Sequence, residues 1–453
     1  MNFMREFLIL LLAIFLGGNS VFAYELILPK EKKSIVNTKY AFFIGKASNA
    51  ESIVINDERV YVASNGAFAH SVKLKDGENR VVIRSNINTQ VYKIVKTPRE
   101  QVYKKELLEF DPTLYKVKKD ETPLRKTPVD YGMNRISHLF KDTYLVINGE
   151  KEDFYRVFLS KNETAWIAKS AVVRADCLKE PPCFLTMNSK TYKNASVHTI
   201  EFTEKLPYSI SENNDEIIFK VYNPLYSEDS VYTVNIRKPQ KYVYNTTLSN
   251  GVYVFKVTEF PCGENKSLDG LVITVDAGHG GSEKGAIGCL GDEEKKINLL
   301  IAQELKNRLA LMGATVIMTR ECDANVSLQD RVKLAQENCS NIFISVHLNS
   351  IPDIPMNIHK NKGTSVYYYN KNSKQLAQIL EDIISKTVGT RKDGVREGSF
   401  AVIRPTNYVG VLVEAAYMTN PVDSVLYRSE TFTSDVAKAI SEAVLEFVTL
   451  EAD

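Results

Sequence analysis

Between residues 34 and 96, apolar and polar side chains alternate in short runs, 52–55, 59–62, 68–74 and 80–83, broken by Asn56-Asp57, Asn65-Gly66 and Asp76-Gly77. Period two with turn residues at this spacing predicts the strands of a small antiparallel sandwich. A charged connector at 97–106 leads to a second strand-rich stretch, 115–173, with runs at 136–139, 143–147, 155–157 and 165–167. A third stretch, 183–260, alternates again at 217–221, 231–236 and 252–257. After Pro261 the period changes. Apolar residues fall at Ile297, Leu300, Ile301, Leu305, Leu309 and Met312, the 3.6-residue spacing of a helix from Glu294, with Gly313 as its stop. Strands are predicted at 272–275, 315–318, 342–346, 363–369, 400–403 and 409–413, and helices at 327–336, 376–388 and 434–448. Alternating strands and helices predict an α/β domain whose sheet is largely parallel and flanked by helices, behind β-rich N-terminal modules.

This organisation divides the chain into 1–23, a signal peptide; 24–100, a β-sandwich; 110–175, a small barrel; 180–262, a β-rich module without an evident role; and 268–453, the α/β domain. Residues 1–23 carry Arg5 in a short polar head, an apolar core at 7–16 and Ala23 at the cut. That core is shorter than the ~20 residues a spanning helix needs, so the mature chain is expected to be exported and not membrane-spanning. With 453 residues, 57 Lys plus Arg and 55 Asp plus Glu, no overall field draws the protein to nucleic acid or an anionic membrane. Of the six cysteines, Cys177 and Cys183 flank Pro181-Pro182 and either close a small loop or remain thiols. No Cys-x-x-Cys spacing occurs, and cysteines in an exported chain point to a periplasm.

The chemistry gathers in the last third. The run 272–275 leads into Asp276-Ala277-Gly278-His279-Gly280-Gly281, the run 342–346 stops at His347, and the run 409–413 stops at Glu414. In an open α/β sheet, ligands collect where strands reach their carboxyl ends, so these residues can converge despite their separation. The glycines do not match a dinucleotide fingerprint, whose third glycine is Glu283 here; they instead let the chain bend so that His279 points into the cleft. Two histidines and a carboxylate are a common donor set for hydrolytic zinc, which keeps one position for water. His279 and His347 supply the imidazoles, and Glu294, in the first turn of the following helix, the carboxylate. Glu414 follows a strand apolar enough to be central, where an ionisable group is costly unless it pairs, binds metal or moves protons. It is assigned as general base and then general acid.

These residues resemble the zinc-dependent N-acetylmuramoyl-L-alanine amidases of the amidase-3 type, over nearly all of residues 271–450. Asp276-Ala277-Gly278-His279-Gly280-Gly281, Glu294-Lys295-Lys296-Ile297-Asn298-Leu299, Thr319-Arg320 with Leu328 and Arg331, Ile344-Ser345-Val346-His347-Leu348-Asn349-Ser350, and Val413-Glu414 through Asn420-Pro421 are similar to the family's ordered signatures. The resemblance implies Zn2+ on His279, Glu294 and His347, Glu414 as the catalytic glutamate, and Arg404, in Val402-Ile403-Arg404, as a substrate-binding residue. It implies hydrolysis of the amide between N-acetylmuramic acid and L-alanine, with peptidoglycan as partner in a periplasmic or cell-wall setting. Val409, Ala416 and Gln336 depart from the family's Pro, Gly and Asn, which bears on cleft shape rather than on metal. The segment 349–362 has no room for the inhibitory helix that some relatives insert, so restraint is expected from regulatory contacts of the N-terminal modules.

Two resemblances cover those modules. Ile55-Asn56-Asp57, Asn65-Gly66-Ala67-Phe68 and Asp76-Gly77-Glu78-Asn79 resemble immunoglobulin-like modules of exported bacterial enzymes, and Thr122-Pro123-Leu124-Arg125 with Ala165-Trp166-Ile167 is similar to a bacterial SH3-like domain. Two other readings stand beside the amidase: a non-catalytic wall-binding scaffold with a degenerate amidase domain, and a zinc peptidase cutting within the stem peptide.

Overall fold

A computed structural model describes residues 24–48, 52–97, 106–260, 267–350 and 362–450. The signal-peptide expectation and Cys262 lie outside them. The first region has two sheets. Tyr24–Leu28, Tyr40–Ala47 and Ala67–Lys73 form one, and Lys33–Val36, Thr89–Lys96, Gly77–Arg84, Ile53–Ile55 and Glu58–Val60 the other. Alternation sends Phe43, Ile53, Ile55, Phe68, Val81 and Ile83 into a shared core, the arrangement that period two demands of a sandwich.

The next two regions are less separate than the sequence suggests. Seven strands between Leu108 and Arg174 form one antiparallel sheet, and strands from Phe184 to Glu259 form a four-stranded and a three-stranded sheet. One hydrophobic core runs through all of them, from Leu124, Leu145 and Ile147 to Phe202, Phe219 and Phe255. Hydrogen bonds cross the same boundary: Ser137 Oγ donates to the Tyr208 carbonyl at 2.6 Å, and Tyr208 Oη to the His138 carbonyl at 2.7 Å. Trp166 is half-buried between the buried Ala165 and Ile167. Cys177 and Cys183 are both free thiols at the surface.

The C-terminal domain alternates β1 (Val272–Ala277), α1 (Glu294–Leu311), β2 (Thr315–Met318), α2 (Leu328–Glu337), β3 (Ile342–Asn349), β4 (Thr364–Tyr368), α3 (Lys374–Val388), β5 (Lys392–Glu397), β6 (Val409–Tyr417), α4 (Pro421–Tyr427) and α5 (Phe432–Thr449). The sheet order is β2-β1-β3-β6-β4-β5. The first four strands are mutually parallel, β4 runs antiparallel to β6, and β5 is parallel to β4, so the sheet is mixed. Val436, Ala439, Ile440, Ala443, Val444 and Phe447 of α5 are all buried. In α1 the buried stripe is Asn298, Ile301, Ala302, Leu305 and Leu309, while Leu300 is 55% exposed, a rotation of the face read from the sequence.

Residues 400–403 are not a strand. Ala401–Ile403 is a 3-10 turn whose Val402 and Ile403 pack on Phe343, Tyr408 and Leu412, and Tyr408 Oη holds the Val402 carbonyl at 2.6 Å. The apolar run covers a sheet face instead of entering the ladder. The strand at this edge is β5, whose Lys392, Asp393, Arg396 and Glu397 hide it from an apolar pattern, as charged side chains on edge strands do.

The sandwich rests on the C-terminal α/β domain. Ile44, Ala63, Ala67 and Ala69 bury Cys289, with Ile27 and Leu290 beside them, and Asn65 Nδ2 donates to Ser424 Oγ at 3.1 Å. Cys289 and Leu290 lie in the loop between β1 and α1. No described helix is long and apolar enough to cross a membrane.

Candidate active site

The chain leaves β1 at Ala277 and turns through Gly278-His279-Gly280-Gly281, with His279 itself at φ 60°, a left-handed backbone that bends the loop under the strand end. His347 lies inside β3 rather than beyond it, and Glu414 inside β6; the two are directly paired across the parallel ladder. Glu294 opens α1. One donor atom each from His279, Glu294 and His347 falls within 4.8 Å of the others. His347 Nδ1 lies 2.9 Å from Glu294 Oε1 and His279 Nε2 lies 3.2 Å from Oε2, with the two rings edge to face at 4.9 Å.

Backbone fixes the carboxylate. Its Oε2 accepts from the Ala286 N–H at 2.8 Å and its Oε1 from the Leu348 N–H at 3.2 Å and Asn298 Nδ2 at 3.1 Å. Burial works against the charge of Glu294, but the hydrogen bonds and charges of both imidazoles outweigh it and hold the carboxyl far below its usual range. Burial likewise lowers His279, and Glu294 more than reverses that, so its pKa is raised. Two glycines make room for the cluster. A Cβ on Gly278 would stand 2.2 Å from His347 Cε1, and one on Gly285 would stand 2.4 Å from Glu294 Oε2. Glu414 is different: burial first, then the charge of Glu294, pushes it well above the ordinary carboxylate range, and its Oε2 is buried without a partner.

Arg404 is not gathered with these four. Its carbonyl accepts from Asn370, just past the end of β4, whereas Glu414 pairs with Ser365 near the start of that strand. The two anchor points, Ser365 and Asn370, are five residues apart along β4 and the chain that leaves it. Its guanidinium donates to Ser399.

Residues 273–446 match the family model described as N-acetylmuramoyl-L-alanine amidase. The protein is 32% identical over 193 residues to the uncharacterized protein YqiI of Bacillus subtilis, covering 42% of this chain and 90% of YqiI. The chain belongs to the N-acetylmuramoyl-L-alanine amidase family. It is also 33% identical over 182 residues to the N-acetylmuramoyl-L-alanine amidase LytC of the same organism, 39% of this chain but 36% of LytC. Among solved structures, the catalytic domain of the amidase CwlV from Bacillus (Paenibacillus) polymyxa is 31% identical, with a TM-score of 0.37, covering 40% of this chain and 99% of that one.

The amidase domain braces its cluster with residues that the sequence reading quoted inside signatures but gave no role. Asp276, 1% exposed, accepts from Thr319 Oγ1 and Ser345 Oγ, each at 2.6 Å, and from Arg331. Burial would raise its pKa, but the Arg331 charge and these bonds hold it below the usual range. Arg331 also donates to the carbonyls of Ala277 at 2.8 Å and His279 at 2.8 Å, and Arg320 to those of Ala277 at 2.8 Å, Gly278 at 3.0 Å and Lys295 at 2.7 Å. Two guanidiniums therefore clamp the turn that aims His279. The available signal was an Asp at the end of an apolar strand, where a lone charge needs a buried partner.

Proposed function

We propose that this protein is an exported peptidoglycan hydrolase that cleaves the amide between N-acetylmuramic acid and the L-alanine of the stem peptide. The observation that carries the reading is the convergence of His279, Glu294 and His347 within 4.8 Å, with Glu414 on the neighbouring strand, in a chain of this family. Two imidazoles and one carboxylate fit a hydrolytic zinc ion, and the space left by Gly278 and Gly285 is shaped to these donors. Bound there, zinc would polarise the scissile carbonyl and make water acidic enough to attack near neutral pH.

Glu294 keeps its charge and orients both rings through the bonds described above. Glu414 carries the proton: as the carboxylate it takes one from the attacking water, and the acid so formed, which its buried setting favours, returns that proton to the leaving nitrogen. The partner-free Oε2 leaves an oxygen available for that exchange. The sandwich, read as immunoglobulin-like, and the seven-stranded sheet, read as SH3-like, serve targeting or scaffold roles, and the first contacts the loop that leads to Glu294 in a position suited to regulation. A periplasmic or cell-wall location follows from the substrate and from LytH of Staphylococcus saprophyticus, a relative described as a probable cell wall amidase.

The test replaces Glu414 by Ala. Stem-peptide release from purified peptidoglycan should fall by ~100-fold or more while zinc content is retained; unchanged release refutes the assignment. Mass spectrometry of the fragments separates cleavage at L-alanine from cleavage inside the stem peptide. Absence of both zinc uptake and hydrolysis would leave the scaffold reading.

A further inference from the structure

Away from the metal cluster, the seven-stranded sheet meets the α/β domain along a seam between residues 125–138 and 399–404. A Cβ on Gly132 would come within 2.2 Å of Ser399 Oγ, and Tyr369 Oη reaches the Gly132 carbonyl at 3.5 Å, so the two surfaces touch. Three arginines meet there. Arg125 and Arg135 are direct partners across antiparallel strands Thr122–Arg125 and Arg135–Leu139, and Arg404 is bonded to Ser399, the residue that Gly132 abuts from the other side of the seam.

Their compensation is incomplete. Arg125, 6% exposed, pairs with Asp130 and donates to the Tyr131 carbonyl at 2.9 Å and Asn134 Oδ1 at 3.1 Å. Arg135 Nη1 donates to His138 Nε2 at 3.1 Å, and burial, followed by the charges of all three arginines, pushes His138 down to about 4, so it adds no negative charge and stays neutral. Arg404 Nη1 donates to the carbonyl of Ser399 at 3.0 Å and its Oγ at 3.3 Å. Arg135 Nε is buried with no acceptor. Among the described residues, Asp130 is the one carboxylate bonded to these guanidiniums, and its side chain is 81% exposed. Three cations against one screened anion leave about two charges unbalanced in a partly buried seam, a costly arrangement without a counter-charge.

We propose that this seam is a binding site for a phosphate dianion, free or carried as a terminal phosphomonoester by a larger wall molecule. Guanidinium forks match phosphate oxygens, and phosphate carries close to two negative charges at neutral pH. The Nε of Arg135 supplies a donor that the protein itself leaves unused. Because one wall is the β region and the other the catalytic domain, an occupied site ties the two together. The inference does not rest on the hydrolytic reading, since Arg404 stands far from Glu414 along the sheet.

The experiment titrates the full-length mature chain with inorganic phosphate by calorimetry, at constant ionic strength in chloride. One saturable site is expected, and Arg135→Gln should weaken it roughly tenfold or more, the loss of one or more charge-assisted hydrogen bonds. Arg404→Gln provides an independent variant should Arg135→Gln fold poorly, as judged by melting in phosphate-free buffer. No saturable binding up to about 10 mM phosphate, or identical isotherms for wild type and a folded variant, overturns the proposal. A sugar phosphomonoester binding more tightly than inorganic phosphate assigns the ligand to an ester carried by a larger molecule; equal or weaker affinity assigns it to the free ion.

Discussion

Gly278→Ala offers a sharp test of how the metal cluster is built. The glycine has no demanding backbone angle, so its role is space: the added Cβ would sit 2.2 Å from His347 Cε1 and 2.3 Å from Nε2, where ordinary contact begins at 3.4 Å. Relief requires about 1 Å of movement by the imidazole or by the turn. The ring is pinned by Glu294 on one side, and Arg320 and Arg331 clamp the turn on the other, so neither moves freely. Disturbing the shell that orients a metal ligand weakens binding roughly tenfold to a hundredfold, and a misplacement of about 1 Å reduces turnover by a similar factor. Zinc affinity is measured by competition with a chromophoric chelator and activity by release of stem peptides. The substitution should shift both, with partial recovery at high zinc, and should also lower the melting temperature of the metal-free protein, since the clash must be relieved whether or not metal is bound. Unchanged zinc affinity and activity would refute the claim that His347 needs the missing side chain.

Asp276→Asn leaves Arg331 buried without its anion and should cost ~3–5 kcal/mol in urea unfolding. Since folding lowers the pKa of Asp276, its contribution is complete above the unfolded value of about 4 and lost as pH falls through the folded one, so the variant should lack part of the acid-side slope. His138 behaves oppositely to a histidine with an anionic partner: with its pKa near 4 when folded and about 6.5 when unfolded, stability is complete above pH ~6.5 and declines by up to about 3 kcal/mol as pH drops toward 4. His138→Gln, unfolded at several pH values in phosphate-free buffer, should flatten that decline. Lys241 Nζ donates to the carbonyls of Phe447 at 2.6 Å and Leu450 at 2.7 Å at the end of α5, and Lys241→Met should destabilise by ~1–3 kcal/mol on thermal or urea unfolding.

The C-terminal fold was legible because its central strands are short and wholly apolar and its helices repeat at 3.6 residues. His279 and His347 could be read because each interrupts or follows such a run, and Glu294 because it opens the helix that comes next. What escaped has physical reasons. β5 is a charged edge strand with no apolar alternation, and the run 400–403 is apolar because it caps a sheet face. Strand ends were placed too early because Glu414 and His347 pair within the ladder despite their polarity. Arg320 reaches the Ala277 carbonyl across 43 positions of sequence and Arg331 reaches Asp276 across 55, which no local pattern reveals. The continuous core beneath residues 108–259 is invisible for the same reason: alternation states which side chains turn inward, not which sheet they meet.

The sandwich that buries Cys289 has a chemical consequence. Inside this contact the thiol is fully covered, donates to the Thr419 carbonyl at 3.4 Å and is pushed up to about 12, leaving almost no thiolate at neutral pH. A C-terminal fragment lacking the sandwich would uncover Cys289 and Leu290 five or fewer positions before Glu294 of the His–Glu–His cluster. Its thiol would then be open to ionisation and oxidation beside the cluster, chemistry from which the contact with the sandwich withholds it.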